Sequence, residues 1–367
     1  MSGSRRVARH GCKSARRARA AIVCALICFA GLQLGLFAAV ETGLPQWRDP
    51  LYGRKFHQLR RCFEGAPPGA MRVLLVGSSR TFNGVDAASF ERQLQAAYGK
   101  PAVVYNFGLS AAGPLTELIV LNRLMAAGVR ADLVLVEVFP AMLADRHPLL
   151  EADPLDASRL WSGDLALLGR CTTDAGRLAR RWVFGSLAPW HTHRYAILGQ
   201  ISSRWLPPEG WGTGLSEFDP RGWQGLDEQR CAPHDAAALE VARLKYAGVL
   251  GDFKFGPGGE AVLEIVRLCQ RHATPSALVL MPEGREFASW YSPGARRKVD
   301  EFIQQTSHDY RVPVIDARRW MTESQFFDSH HLLSSSARSF SERLAGDTAR
   351  LIERSGVATA GLHAERR

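Results

Sequence analysis

Residues 71–81 read Met-Arg-Val-Leu-Leu-Val-Gly-Ser-Ser-Arg-Thr, with four consecutive apolar β-formers running straight into a small-residue turn. So short and uniformly apolar a run, bounded by turn signals, predicts a strand buried on both faces. Residues 87–98 come next, with apolar positions at helical spacing. Residues 102–105 predict a second strand, which leads into Asn106-Phe107-Gly108-Leu109-Ser110-Ala111-Ala112-Gly113-Pro114. Residues 115–127 predict another helix, and Ala-Asp-Leu-Val-Leu-Val-Glu-Val-Phe at 131–139 the clearest buried strand in the chain. Strands that alternate with helices in this way pair in parallel through right-handed crossovers.

The alternation lapses over 140–256. That segment holds six of the nine tryptophans (Trp161, Trp182, Trp190, Trp205, Trp211 and Trp223), several prolines and the basic run Arg177-Leu178-Ala179-Arg180-Arg181, and reads as a large, partly helical insertion. Alternation resumes with a helix over 260–271, a strand over 276–281, a helix over 295–306, a short strand over 312–315 and a last helix over 335–354. The end, 356–367, reads as a frayed tail. The expected fold is a three-layer α/β/α sandwich with a mostly parallel five-stranded sheet, contained in residues 70–355.

Ahead of that domain, residues 20–40 are twenty-one residues with no charge and a single polar amide, Gln33. A helix of that length crosses the hydrocarbon core of a bilayer. Residues 1–19 carry seven basic side chains (Arg5, Arg6, Arg9, Lys13, Arg16, Arg17 and Arg19) and no acid. The positive-inside rule then predicts a basic cytoplasmic tail at 1–19, a transmembrane anchor at 20–40, and everything after Glu41 on the outer side of the cytoplasmic membrane. A cleaved signal peptide is the rival reading, but its apolar region is normally shorter, and the obvious small-x-small sites put Leu36 or Phe37 where alanine belongs. Residues 41–69, with Pro45, Pro50, Pro67 and Pro68 around a helical pattern at 55–63, read as a juxtamembrane connector.

Composition narrows the function. With 367 residues, 46% hydrophobic and 22% charged, the chain can bury a large core. Its formal net charge is +10, but the seven tail residues supply +7 and leave +3 for the rest. That is an ordinary surface, and no nucleic-acid partner is expected. Of seven cysteines, Cys12, Cys24 and Cys28 belong to the tail and anchor; Cys62, Cys171, Cys231 and Cys269 are scattered, with no CxxC and no histidine at metal-ligand spacing. No metal or cofactor is expected, and disulfides and buried thiols both stay open.

Open α/β sheets place their chemistry at the carboxyl edge, where the turn at 77–79 presents a serine hydroxyl. A serine is a poor nucleophile until a base takes its proton and a third group holds that base in the right tautomer. Far downstream, Phe326-Phe327-Asp328-Ser329-His330-His331-Leu332 supplies a carboxylate and an imidazole three residues apart. Simpler roles exist for each residue: Ser79 or Asp328 as a helix cap, Arg80 as a salt-bridge partner, Glu283 as an exposed loop carboxylate. A phosphate site is disfavoured, because Gly77-Ser78-Ser79 belongs to neither a GxGxxG nor a P-loop lysine signature.

Gly77-Ser78-Ser79-Arg80 and Asp328-x-x-His331, in this order at the two ends of the domain, resemble the first and last sequence blocks of the SGNH (GDSL-type) hydrolases, especially membrane-linked relatives with GSSR. The resemblance implies an SGNH hydrolase or flavodoxin-like fold with Ser79 as nucleophile, His331 as base and Asp328 as its orienting carboxylate; His330 does not have the matching spacing. It also implies an oxyanion hole from the amides of Ser79 and Ala111. The chain departs from the family at three places. Ser78 stands where the family has Asp, and Ala111 stands five residues after Asn106 where the family has Gly, with Gly113 as the fallback donor. The third block, Gly-x-Asn-Asp, is absent, and Val136-Glu137-Val138-Phe139-Pro140 occupies its place. The implied function is a serine esterase, acyl hydrolase or O-acyltransferase acting on an acylated glycan or lipid of the cell envelope. The alternative is a catalytically silent envelope protein that binds glycan or protein partners through the tryptophan-rich insertion.

Overall fold

The computed structural model describes residues 4–43, 45–145, 155–172, 175–202, 217–228, 233 and 235–355. Trp205, Trp211, Cys231 and the tail 356–367 lie outside the described residues. In chain order the helices before the insertion are α1 (Ser4–Thr42), α2 (Pro50–Glu64), α3 (Ser79–Gly84), α4 (Ala87–Tyr98) and α5 (Pro114–Ala126). The insertion contributes α6 (Ser162–Leu168), α7 (Ala175–Leu187), α8 (Pro189–Ile201) and α9 (Ala236–Gly251). After it come α10 (Pro257–Arg271), α11 (Arg285–Ser289), α12 (Pro293–Tyr310) and α13 (Ser334–Ser355).

Five strands, β1 (Met71–Gly77), β2 (Ala102–Gly108), β3 (Leu133–Glu137), β4 (Ser276–Leu280) and β5 (Val314–Asp316), form one parallel sheet in the order β2-β1-β3-β4-β5. Helices α4 and α13 pack on one face, and α2, α5, α10 and α12 on the other, giving the three-layer sandwich. Strand order reverses between β1 and β3, which opens a crevice at their carboxyl ends. Register pairs Gly77 with Gly108 and Val76 with Val136, so the ends of β1, β2 and β3 lie side by side.

Two elements depart from the periodicity. β2 runs through Gly108 instead of stopping at Tyr105, although Asn106 and Gly108 read as turn residues. The Asn106 side chain is fully buried; its Nδ2 donates to the Thr81 and Val85 carbonyls at 2.7 Å each, and its Oδ1 accepts from the Gly108 N–H at 2.8 Å. It therefore ties the end of β2 to α3.

The connector is likewise part of the core. α2 starts with Pro50, capped by Asp49, whose Oδ1 accepts from the Tyr52 N–H at 3.1 Å. Its residues Tyr52, Phe56, Leu59 and Phe63 are buried against the sheet layer. Lys55, with no exposure, donates through Nζ to the carbonyls of Asn106, Gly108 and Gly222 at 3.0, 2.7 and 2.7 Å, with the Phe82 ring 3.9 Å away. Burial pushes its ammonium well below the usual lysine range, and the three carbonyls offset that desolvation.

In α1, the stretch Arg16–Thr42 is long and apolar enough to cross a membrane. Among the described cysteines, Cys62, Cys171 and Cys269 are free thiols.

Candidate active site

β1 delivers the chain to the crevice, and a hydrogen-bonded turn fixes the residues just beyond it. Ser78 has an extended backbone and caps α3, its Oγ accepting from the Arg80 N–H at 3.1 Å. Capping thus falls to Ser78 and leaves the hydroxyl of Ser79, the first residue of α3, for other work. Gly77 is required by close approach: a Cβ there would lie 2.1 Å from Thr81 Oγ1 and 2.5 Å from Glu137 Oε2.

Glu137, at the end of β3, is the residue that sequence reasoning passed over. It is 2% exposed and accepts from the Ser78 N–H at 2.8 Å, the Ser78 hydroxyl at 3.0 Å and the Thr81 hydroxyl at 2.6 Å. A lone acid at the end of an otherwise apolar strand was the available signal, since a buried carboxylate requires donors. Arg80 is also buried; it donates to the Met281 and Pro282 carbonyls at 3.0 and 2.6 Å, its guanidinium lies 4.5 Å from the Phe139 ring centroid, and its Nε is 4.0 Å from Glu137.

The second segment is a closed turn before α13. The Phe327 N–H donates to the His331 carbonyl at 2.8 Å, and the His331 N–H to Asp328 Oδ1 at 2.8 Å. Ser329 takes a left-handed φ of 66°. Its carbonyl accepts from the Gly284 N–H at 2.8 Å and its Oγ from the Phe287 N–H at 2.9 Å, which anchors the turn to α11 and its N-cap. This geometry aims the imidazole of His331. Its Nδ1 is 2.7 Å from Asp328 Oδ2, and its Nε2 is 2.8 Å from Ser79 Oγ. Ser79, His331 and Asp328 are thus brought together in one line of hydrogen bonds.

His330 lies on the other side of the same carboxylate, with Nδ1 3.0 Å from Asp328 Oδ1. Its buried ring stacks near Phe139 and Phe287, with Tyr246 edge-on at 5.2 Å. Burial, reinforced by His331, pushes the His330 imidazole down to about 4 against the pull of Asp328. For Asp328, burial works upward, but the two imidazoles outweigh it and hold the carboxyl far below the usual carboxylate range. The donor atoms of Asp328, His330 and His331 all lie within 4.8 Å of one another.

A cavity of about 750 Å³ opens onto Ser79. Its walls are Asn83, Ser110, Ala111, Leu226, the α9 face carrying Ala237, Ala238, Val241, Ala242, Lys245 and Tyr246, and the turn at Phe327, His330 and His331. The insertion therefore reaches the site through Leu226 and one face of α9, and none of the described tryptophans is among the lining residues. Ala111 has φ 57°, the left-handed conformation that glycine adopts without penalty. Gly113, the fallback donor, is instead the buried N-cap of α5 and does not line the cavity. Glu283 is not an exposed loop carboxylate: it is 6% exposed and accepts from the Tyr291 hydroxyl at 2.6 Å.

No protein-family profile matches the chain, and no curated protein matches it. Among solved structures, it is similar to a proposed acylhydrolase from Bacteroides fragilis NCTC 9343, with 9% identity over 81% of this chain and 96% of that one and a TM-score of 0.36. It is similar to a catalytic mutant of an acetylxylan esterase from Geobacillus stearothermophilus, at 11% identity over 75% and 92% of the two chains and a TM-score of 0.35. A lipase from a goat rumen metagenome is similar at 13% identity, over 76% and 98%, with a TM-score of 0.33.

Proposed function

We propose that this chain is a serine esterase or acyl hydrolase of the SGNH type, held by α1 in the cytoplasmic membrane, with the domain after Glu41 on the outer side and ester-linked acyl groups of envelope glycans or lipids as substrate. The observation that carries the reading is the contact of Ser79 Oγ with His331 Nε2 at 2.8 Å, across 252 residues of sequence, with Asp328 2.7 Å behind the ring. With Asp328 accepting from Nδ1–H, the Nε2 lone pair faces the serine. As Ser79 Oγ bonds to the ester carbonyl carbon, its proton passes to Nε2. The resulting imidazolium then protonates the departing alkoxide, and the C–O bond to the alcohol breaks.

Water completes hydrolysis by the same steps in reverse; a sugar hydroxyl in its place gives transfer. The carbonyl oxygen gathers negative charge at the tetrahedral stage, and the amides of Ser79 and Ala111 are the donors we assign to it. Such a donor contributes about 100-fold or more to turnover. Ser79→Ala and His331→Ala should each remove most hydrolysis of short-chain p-nitrophenyl esters, by about 1,000-fold or more, and the double variant should be little worse, because nucleophile and base act as one unit. Additive losses, or activity that survives Ser79→Ala, would overturn the mechanism. The second reading, a silent glycan- or partner-binding protein, draws on the missing third block: Val136-Glu137-Val138-Phe139-Pro140 occupies its place and contains no asparagine to donate a side-chain N–H. A wild-type chain that hydrolyses no acyl ester would favour it.

A further inference from the structure

We infer that the hairpin of α7 and α8 dips into the outer leaflet of the membrane beside α1, giving the domain a second lipid contact; this rests on the reading of residues 20–40 as the anchor. The tip of the hairpin is apolar and uncovered: Val183, Phe184, Leu187 and Trp190 are 51, 71, 70 and 46% exposed. Its charges lie in the first half of α7, up to its middle, where Arg177, Arg180 and Arg181 are exposed. The separation runs along the helix axis and not around it, since Phe184 lies on the same face as Arg177, two turns on. A helix sorted in this way enters a lipid surface tip first, with its arginines at the phosphates.

The hairpin is also fixed to the span. Phe37 packs edge-on against Trp182 with ring centroids 6.1 Å apart, and the Trp190 N–H donates to Gln33 Oε1 at 3.3 Å. Gln33 is the single polar residue of the apolar stretch, and the group it accepts from is a first-turn N–H of α8, which has no partner within its own helix. The hydroxyls of the tip close within the hairpin, while the imidazole of His191 is exposed and Arg194 Nη1 donates to the His191 carbonyl. Thr192 Oγ1 donates to the Gly185 carbonyl and Ser186 Oγ to the Trp182 carbonyl, both at 2.8 Å. Internal satisfaction of this kind is what a lipid environment demands.

Depth agrees from both sides. Gln33 lies fourteen residues beyond Arg19, about 21 Å of helix, and so about 9 Å below the outer edge of a hydrocarbon core about 30 Å thick. From Arg181 to Leu187 is six residues, also about 9 Å. A second copy of the chain is the rival occupant of this surface; continuity with the span and the three exposed arginines of α7 favour lipid.

The test uses the full chain in nanodiscs of phosphatidylethanolamine and phosphatidylglycerol, doped with a phosphatidylcholine that carries a diazirine in its acyl chain. After photolysis, adducts are mapped by peptide mass spectrometry. Adducts on 182–190 should reach the same order as those on α1 and exceed those on α12 by about tenfold or more. The variant F184D/L187D, which changes only exposed side chains, should lose the hairpin adducts at least about fivefold while α1 labelling persists. Labelling of α1 with the hairpin at the level of α12 would overturn this inference alone. An unlabelled α1 would overturn the anchor reading and this inference with it, and crosslinks between copies through 182–190 in place of lipid adducts would assign the surface to self-association.

Discussion

Removing the Glu137 carboxylate should disable the nucleophile turn without touching the triad. In Glu137→Ala the Ser78 N–H and the hydroxyls of Ser78 and Thr81 lose their shared acceptor in a site that is 2% exposed. Each unsatisfied buried group costs about 1–3 kcal/mol, though hydroxyls can turn to other acceptors. Arg80, with Nε 4.0 Å from the carboxylate, also loses its nearest counter-charge. A total near 4 kcal/mol results, or roughly 10 °C in Tm for a domain of this size. Glu137→Gln should be milder: its one oxygen can stay at the Oε2 position, where the Ser78 N–H and the Thr81 hydroxyl converge, at a cost of about 1–2 kcal/mol. Catalysis should track the turn, because a displacement of Ser79 by about 1 Å costs on the order of 100-fold in rate. Thermal unfolding monitored by circular dichroism, with ester hydrolysis on the same samples, measures both. An unchanged Tm for Glu137→Ala would refute the network. A Glu137→Gln enzyme as inactive as Ser79→Ala would instead put this carboxylate in the chemistry.

The same geometry sets two further outcomes. Because the His330 pKa is held at about 4 in the fold, the unfolded chain takes up a proton between pH 6.5 and 4 that the folded chain refuses, so stability falls as pH falls through that window. His330→Phe keeps the stack with Phe139 and Phe287 and should remove about 2 kcal/mol of that loss between pH 7 and 5, with a several-fold drop in turnover because Asp328 loses a partner; melts at the two pH values with the same slope as wild type would contradict it. Ala111→Gly should raise stability by up to about 1 kcal/mol and leave ester hydrolysis within about twofold, since it relieves a left-handed alanine but keeps its amide; a fall in Tm would contradict it.

The periodicity carried the sheet because its strands are apolar on both faces and its helices amphipathic. Each predicted strand and each helix outside the insertion is present, with ends displaced by a few residues. What the periodicity could not carry were polar residues whose partners are remote in sequence. Asn106 read as the close of a strand, and only the Thr81 and Val85 carbonyls show why the strand continues past it. Lys55 read only as the start of the helical pattern in the connector, yet its three carbonyls come from 51, 53 and 167 residues away. The serine, the aspartate and the second histidine were legible because their spacing is local at each end. Glu137 was not, because its partners sit across a strand pairing that sequence order does not reveal. The insertion resisted for another reason: α9 meets the cavity mostly through alanines and a valine, and its Lys245 and Tyr246 carry no spacing signal that sets them apart from other surface and core residues.

The central claim is that Ser79 is an activated nucleophile, and the reaction of the intact chain with a fluorophosphonate probe tests it most directly. A stoichiometric mass increase mapped to Ser79, lost in Ser79→Ala and slowed by about 1,000-fold in His331→Ala, is the expected result. An unmodified wild-type chain, or an adduct on any other residue, would contradict it.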